Sequence, residues 1–450
     1  MKNQKISAFA RSMSMIGIFA AALVFGAVSA VQAMDIKRVV SARGIEAWLV
    51  QDTSVPVISV SFAWRAGAVH DPKGKEGRAR MLAALLDEGA GDLESQAFQG
   101  KLEDLSVRLG FSANTDTFRG SLRTLAANRE EAFGLLALAV NQPRFDTEPV
   151  ERIRSQMVAG LKADQEDPDT IAVRTWYRTA FPEHPYGRPN DGTVDSIGAV
   201  TTADLKDFMA RFFVRKGLVI GVAGDISPEE LAVRLDEVFG RLPMSRPSDA
   251  VAEVQPSNAG KIIVVQKDVP QSVVLFGQAG IKRSDPDWYA AYVMNRILGG
   301  GGFSSRLMEE VREKRGLAYS VYSYLSPYEH TALYMGGVGT ANARVAESLR
   351  IIRAEWQLMA ERGVTEAELA SAKTYINGSF PLRFDSNRRI AGVLVAVQLN
   401  RLGIDYIDER AKLIDAVTTD DIRRVAKRLL DPKALTVVVV GQPEGLKDTK

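Results

Sequence analysis

Residues Ile197–Gly224 read IGAVTTADLKDFMARFFVRKGLVIGVAG, and residues Ile414–Gly441 read IDAVTTDDIRRVAKRLLDPKALTVVVVG. The two stretches align without a gap at a constant offset of 217 and agree at 11 of 28 positions. Each opens on Thr-Thr-x-Asp, a helix start in which a hydroxyl caps free backbone N–H groups. An amphipathic helix follows, then a short β-rich run that ends in glycine. Self-similarity over this length means that the chain is a duplication.

Working outward, the starts of the two copies also correspond. Leu49-Val50-Gln51 and the alternating run Val57–Ala63, with Ile58, Val60 and Phe62 on one face, lead to Asp71-Pro72. In the second copy Val264-Val265-Gln266 and Ser272–Gly277 lead to Asp285-Pro286. A helix is expected after each Asp-Pro. The seam falls at Pro243–Gly260, rich in Pro, Ser and Ala and without a periodic apolar face, which reads as a flexible linker. The predicted organisation is therefore one domain over 34–242, a linker over 243–260 and a homologous domain over 261–450. Strands first, long helices in the middle, and a last helix and strand make an α+β class. Two homologous domains are expected, each an antiparallel-rich sheet covered by helices on one face.

The 450 residues, 46% hydrophobic and 25% charged, have ordinary globular proportions. Cysteine is absent. That excludes disulfides, thiolate catalysis and cysteine-ligated metals. Only three histidines occur, His70, His184 and His330, and no two are close in sequence. The first 33 residues read as a secretory signal peptide. Lys2, Lys5 and Arg11 form a basic lead-in, Met15–Val28 is an uncharged apolar run, and Val31-Gln32-Ala33 offers small residues at a cleavage site. The run is shorter than the ~20 residues of a spanning helix, and an uncleaved anchor is the other reading of it. Its removal takes three cations from a formal charge of +2, so the remainder is near neutral. The absence of a basic stripe argues against nucleic acid as a partner, and a periplasmic or secreted location is expected.

Beyond the duplication, three segments carry a family likeness. They are Glu166-Asp167-Pro168, Phe181-Pro182-Glu183-His184-Pro185-Tyr186-Gly187, and Gly299–Arg306 with the run after it. Across the whole mature chain the sequence resembles the pitrilysin/insulinase-type zinc metallopeptidases, which include the mitochondrial processing peptidase. The resemblance implies the processing-peptidase-like metallohydrolase fold. It also implies where chemistry belongs: a His-x-x-Glu-His signature on the first long helix, and a further glutamate roughly 75–80 residues on. Two histidines one turn apart can face one Zn²⁺, with the glutamate between them deprotonating the bound water.

In this chain the matching helix is Gly77–Leu86, and the signature is gone. Arg80 stands at the first histidine, Ala83 at the glutamate and Ala84 at the second histidine. Guanidinium has no lone pair to donate and a methyl group does nothing. The downstream segment within Val150–Pro168 reads Met157-Val158-Ala159-Gly160-Leu161, without a carboxylate. No metal site of its own is expected. A separate site built from the three histidines would need long-range convergence of about four ligands. His184, between two prolines, reads as a turn residue.

The C-terminal half keeps other features. Leu298–Phe303 is a glycine-rich turn; without a Gly-Lys-Ser/Thr ending it reads as a close backbone turn rather than a phosphate loop. A helix over Ser304–Lys314 is expected after it, capped at Gly316, followed by a strand over Ala318–Leu325. Arg312 and Tyr319 are seven residues apart across that junction. Spacing alone is satisfied by a solvated charge run followed by an ordinary strand tyrosine. The family resemblance implies instead an arginine–tyrosine pair that holds the scissile peptide. A phenol O–H and a fixed cation suit a carbonyl oxygen becoming an oxyanion.

The expected function is the non-zinc subunit of a periplasmic two-chain metallopeptidase. Its partner would be a homologous subunit carrying zinc and His-x-x-Glu-His, and its substrates extended peptides, added as a strand to a sheet edge. Activity of this chain alone is not expected. The alternative is a catalytically silent scaffold or assembly protein that keeps the fold. No membrane span is expected after signal cleavage.

Overall fold

Among the described residues eleven strands form two sheets, and the duplication sets the order within each. The computed structural model describes residues 34–247 and 250–449; the expected signal peptide at 1–33 lies outside the described residues. The first sheet holds β1 (Ile36–Val40), β2 (Glu46–Gln51), β3 (Val57–Trp64), β4 (Arg108–Ala113), β5 (Phe118–Leu125) and β6 (Val219–Gly224), in the order β1-β2-β6-β3-β5-β4. The second holds β7 (Ile262–Gln266), β8 (Gln271–Ala279), β9 (Ala318–Pro327), β10 (Ala332–Ala341) and β11 (Thr436–Gly441), in the order β7-β11-β8-β10-β9. The repeated strands occupy equivalent places. β6 pairs parallel with β2 and antiparallel with β3, as β11 does with β7 and β8. A single compact unit contains both sheets.

The repeated helix starts fold as their sequence requires. Thr201 and Thr418 cap Thr202–Phe212 and Thr419–Leu429, and Asp204 and Asp421 return a carboxylate to the cap backbone. Each cap satisfies donors at a helix start that are otherwise unpaired. The last strand then enters its sheet centre, where all six residues of β11 are buried.

Ile58, Val60 and Phe62 of β3 point into the first core, against helices of their own half. The opposite face is not left to solvent. It is covered by Asn387–Leu399, a helix of the C-terminal half, which packs on β3 and β6 with Ala63, Val395 and Leu399 in contact. Reciprocally, Pro168–Ala180 from the N-terminal half packs on β8 and β11 of the second sheet. Ala172 and Trp176 join Leu275, Met335, Val438 and Val440 there. Each sheet is thus covered on one face by its own helices, and on the other by a helix from the other half. Two glycines permit the approach: a Cβ on Gly221 would meet the Ala391 carbonyl, and one on Gly277 would meet the Trp176 ring.

The segment 243–260 contains no helix or strand among its described residues, yet it is not a free tether. The Pro243 carbonyl accepts from Arg215 N–H at 2.9 Å, Val254 N–H donates to His330 at 2.9 Å and Ser257 N–H to Ala180 at 2.8 Å. Val251 and Val254 pack against the core under Trp176. Backbone bonds to both halves hold a segment whose composition reads as flexible. No helix among the described residues is long and apolar enough to cross a membrane.

Candidate functional site

The helix at the expected metal position is short, Arg78–Ala83, and turns follow it to Asp87. Gly77 precedes it at φ 89°, a left-handed conformation that glycine adopts without strain. Its free N–H groups are served from a distance: Asp71 accepts from Gly77 N–H at 3.0 Å and from Ala79 N–H at 3.1 Å. Arg78, 2% exposed, lies 3.6 Å from Asp71 and donates to Asp207 at 3.1 Å and the His70 carbonyl at 2.8 Å. Burial pushes the Asp71 carboxyl up to about 7, against the pull of Arg78.

The three degenerate positions do different things. Arg80 is exposed and ion-pairs with Asp191. Ala83 is buried in the first core and Ala84 packs against it. Met157, in the segment expected to supply the last ligand, packs against the same core. A permanent cation paired to a carboxylate, two methyls and a thioether do not fit a zinc ion. No group of three or more His, Asp or Glu among the described residues is arranged to hold a metal. Asp191 also lines a cleft of about 640 Å³ between the halves, with Tyr177 and Tyr328 on its walls. Those two phenols bond each other at 2.6 Å.

His70 and His184 line one pocket, and His184 and His330 flank the Tyr186 ring, but among the described residues they join no group able to hold a metal. His184 accepts from Tyr186 N–H at 3.2 Å and bonds the Ala252 carbonyl at 3.1 Å, so it staples a turn to the inter-half segment. His70 lies 4.4 Å from the Phe212 ring. His330 donates its backbone N–H to the Tyr186 phenol at 3.0 Å.

In the C-terminal half the glycine run is a close turn. A Cβ on Gly299 would meet Ser323, one on Gly300 would meet Asn295 and one on Gly301 would meet Arg296; Gly302 has φ 55°. The helix expected over Ser304–Lys314 is not a continuous α-helix. A 3₁₀ turn at Gly302–Ser304 is followed by a π-helix at Met308–Glu313. Lys314 N–H reaches Glu309 at 2.9 Å, and Gly316, at φ 60°, returns its N–H to Arg312 at 2.7 Å. Single π turns are rare and often mark functional sites.

This segment brings Arg312 and Tyr319 together. The Arg312 guanidinium lies 4.9 Å from the Tyr319 ring centre and 4.6 Å from that of Phe303. Tyr319 is 79% exposed and Phe303 68%. The other charges of the run are paired elsewhere. Glu310 binds Lys314 and Arg315, each at 2.6 Å, and Arg306 grips Glu368 through two hydrogen bonds of 2.7 and 2.8 Å. Arg312 has the adjacent Glu313 at 3.4 Å. Its cation is held by two rings on the surface, an interaction worth roughly 0.5–1 kcal/mol at exposed sites. Phe303 was not singled out by the sequence, because only the folded glycine turn carries it to Arg312.

The two halves exchange helices, and a guanidinium and two methyls stand at the positions where the family resemblance implies a metal signature. Comparison with known proteins agrees. The family model described as "Peptidase M16 inactive domain" matches residues 199–376. A Helicobacter pylori protein described as a non-peptidase homolog is 31% identical over 333 residues, 73% of this chain and 76% of that protein. An uncharacterized zinc protease of Mycobacterium leprae is 30% identical over 315 residues, 69% of this chain and 70% of its own. The crystal structure of a peptidase M16 inactive domain from Pseudomonas fluorescens superposes with a TM-score of 0.85 at 29% identity, over 92% of this chain and all of that one. The chain belongs to the peptidase M16 family, the pitrilysin/insulinase type that the sequence resembles, and to its catalytically inactive kind.

Proposed function

We propose that this protein is the non-zinc subunit of a two-chain peptidase in the periplasm, where it pairs with a homologous zinc-bearing subunit and orients extended peptides. Arg312 carries the reading. Its guanidinium, 3.4 Å from Glu313, is presented by the Phe303 and Tyr319 rings at the surface. A phenol beside a fixed guanidinium offers a hydrogen bond and a positive charge to a peptide carbonyl as it gains negative charge. β9, which carries Tyr319, is an edge strand of its sheet. No strand pairs with its outer edge, where Ser323 N–H donates to the Gly299 carbonyl at 3.2 Å; the rest of that edge suits main-chain pairing with an extended substrate.

The test is to isolate the partner by co-purification from the envelope fraction, then assay peptide cleavage by each chain and by the mixture. The mixture is expected to be active and this chain inert alone. Arg312→Ala and Tyr319→Phe in this chain should each slow the mixture by about a hundredfold, the scale seen when an oxyanion donor is removed. Unchanged rates would leave the silent-scaffold reading. Stoichiometric zinc in this chain, with unaided proteolysis, would overturn both.

A further inference from the structure

Arg410 is 6% exposed, and a guanidinium stays charged at any ordinary pH. Burying such a charge without a counter-charge costs several kcal/mol. The fold meets this demand at Arg78, also buried, with two carboxylates and a carbonyl. At Arg410 it does not. Among the described residues Arg410 forms no ion pair and no hydrogen bond, and its nitrogens are not among the fully enclosed side-chain atoms, so its N–H groups stay open to the space beside them. Its guanidinium carbon lies 4.1 Å from the centre of the Phe380 ring and 6.0 Å from that of Tyr292. Rings attract a cation but cannot accept five in-plane N–H bonds.

Arg410 lines a cavity of about 230 Å³ together with Arg283 and Arg383. Arg283 is held in place on three rings, Trp288, Tyr289 and Tyr406, and donates to the Tyr289 and Tyr406 phenols at 3.2 and 3.1 Å. No Asp or Glu is among the residues lining the cavity. Three cations therefore line it without an anion, on walls that are otherwise aromatic and aliphatic apart from Asn400. The side chains come from the loop after β8, the helix Trp288–Leu298, the 3₁₀ turn Phe380–Phe384 and the helix Tyr406–Asp415. Arg383 and Arg410 are thus carried by separate helical elements, and Arg283, on a loop, is held by its three rings.

We infer that this cavity is a binding site for a small oxyanion, a single phosphate or carboxylate head group. The forked N–H pattern of arginine matches both, bidentately. The volume lies below the 300–1,000 Å³ usual for larger organic ligands, which limits the occupant to one head group with little attached. The site uses none of the residues assigned to peptide holding and stands whether or not that role is correct.

The test titrates the purified full chain with inorganic phosphate and, separately, with benzoate, each against chloride at matched ionic strength, reading the thermal midpoint and the bound equivalents by equilibrium dialysis. One equivalent of phosphate or of benzoate is expected, with a saturable rise in midpoint; whichever ion binds identifies the head group. Arg410→Gln should abolish binding. Arg383→Ala, an exposed rim position, leaves the packing intact and should weaken binding about tenfold or more. Arg350→Gln, an exposed arginine elsewhere, should leave it unchanged. The site is refuted if neither ion binds saturably, or if Arg383→Ala binds as the unaltered chain does.

Discussion

Trp176, in a helix of the N-terminal half, donates its indole N–H to the backbone carbonyl of Thr436, in the last strand of the C-terminal half, at 3.1 Å. The reciprocal bond also exists: Gln398 Nε2 donates to the Ile220 carbonyl at 2.9 Å. Each half therefore supplies a helix that completes the other's sheet. A duplicated chain whose halves exchange cover in this way gains nothing by separating them, because each sheet would then expose an apolar face to water.

Trp176 is fully buried under Leu275, Met335 and Val440. Trp176→Ala should lower unfolding stability by about 3–5 kcal/mol through lost burial and a residual cavity. Urea denaturation measures this, and a loss under about 1 kcal/mol would show that the exchanged helix is not part of the cooperative core.

Two glycine substitutions should differ in sign. Gly221→Ala drives a Cβ into the Ala391 carbonyl of the exchanged helix, and should cost about 1–3 kcal/mol. Gly378, inside the helix Glu366–Ser379, has open space around its missing Cβ. There, Gly378→Ala should stabilise by about 0.4–1 kcal/mol by restricting the unfolded chain. Thermal midpoints of the two variants, moving in opposite directions, check both.

Much of this fold was legible in the sequence because its evidence is local or periodic. The Thr-Thr-x-Asp caps, the Ile58–Val60–Phe62 alternation and the replacement of metal-binding side chains by Arg80, Ala83 and Ala84 each concern residues close together. The helix exchange was not legible. Apolar positions such as Ala172 and Trp176 announce that they will be buried, but not against which sheet. The π turn at Met308–Glu313 was also hidden, since α and π turns are built from the same residue types. The Arg283–Arg410 cavity joins residues more than a hundred positions apart, and no spacing signal reaches that far.

Acid should loosen the C-terminal half through Glu368. Burial raises its carboxyl pKa, but the two bonds from Arg306 and those from Thr365 outweigh this and hold it down at about 2, below the usual 4.5. A depressed folded-state pKa contributes stability that is present above about pH 4.5 and is lost as pH falls toward 2. Glu368→Gln should therefore cost about 1–2 kcal/mol near pH 7, and the cost should shrink toward pH 2. Denaturation midpoints of both proteins across that range test it; parallel curves would refute the assignment.

Phe303 gives the sharpest test of how Arg312 is presented. Its ring is mostly exposed, so Phe303→Ala should change stability by no more than about 0.5 kcal/mol. If the ring's role is to hold the guanidinium toward a peptide carbonyl, the same substitution should slow the reconstituted peptidase, with kcat affected more than KM, since orientation matters most in the transition state. A double-mutant cycle separates this from a direct contact between Phe303 and substrate. On an Arg312→Ala background, Phe303→Ala should produce no further loss, because nothing remains to be held. Full additivity of the two losses would mean that Phe303 meets the peptide by itself, and that the guanidinium needs only Tyr319 to be in place.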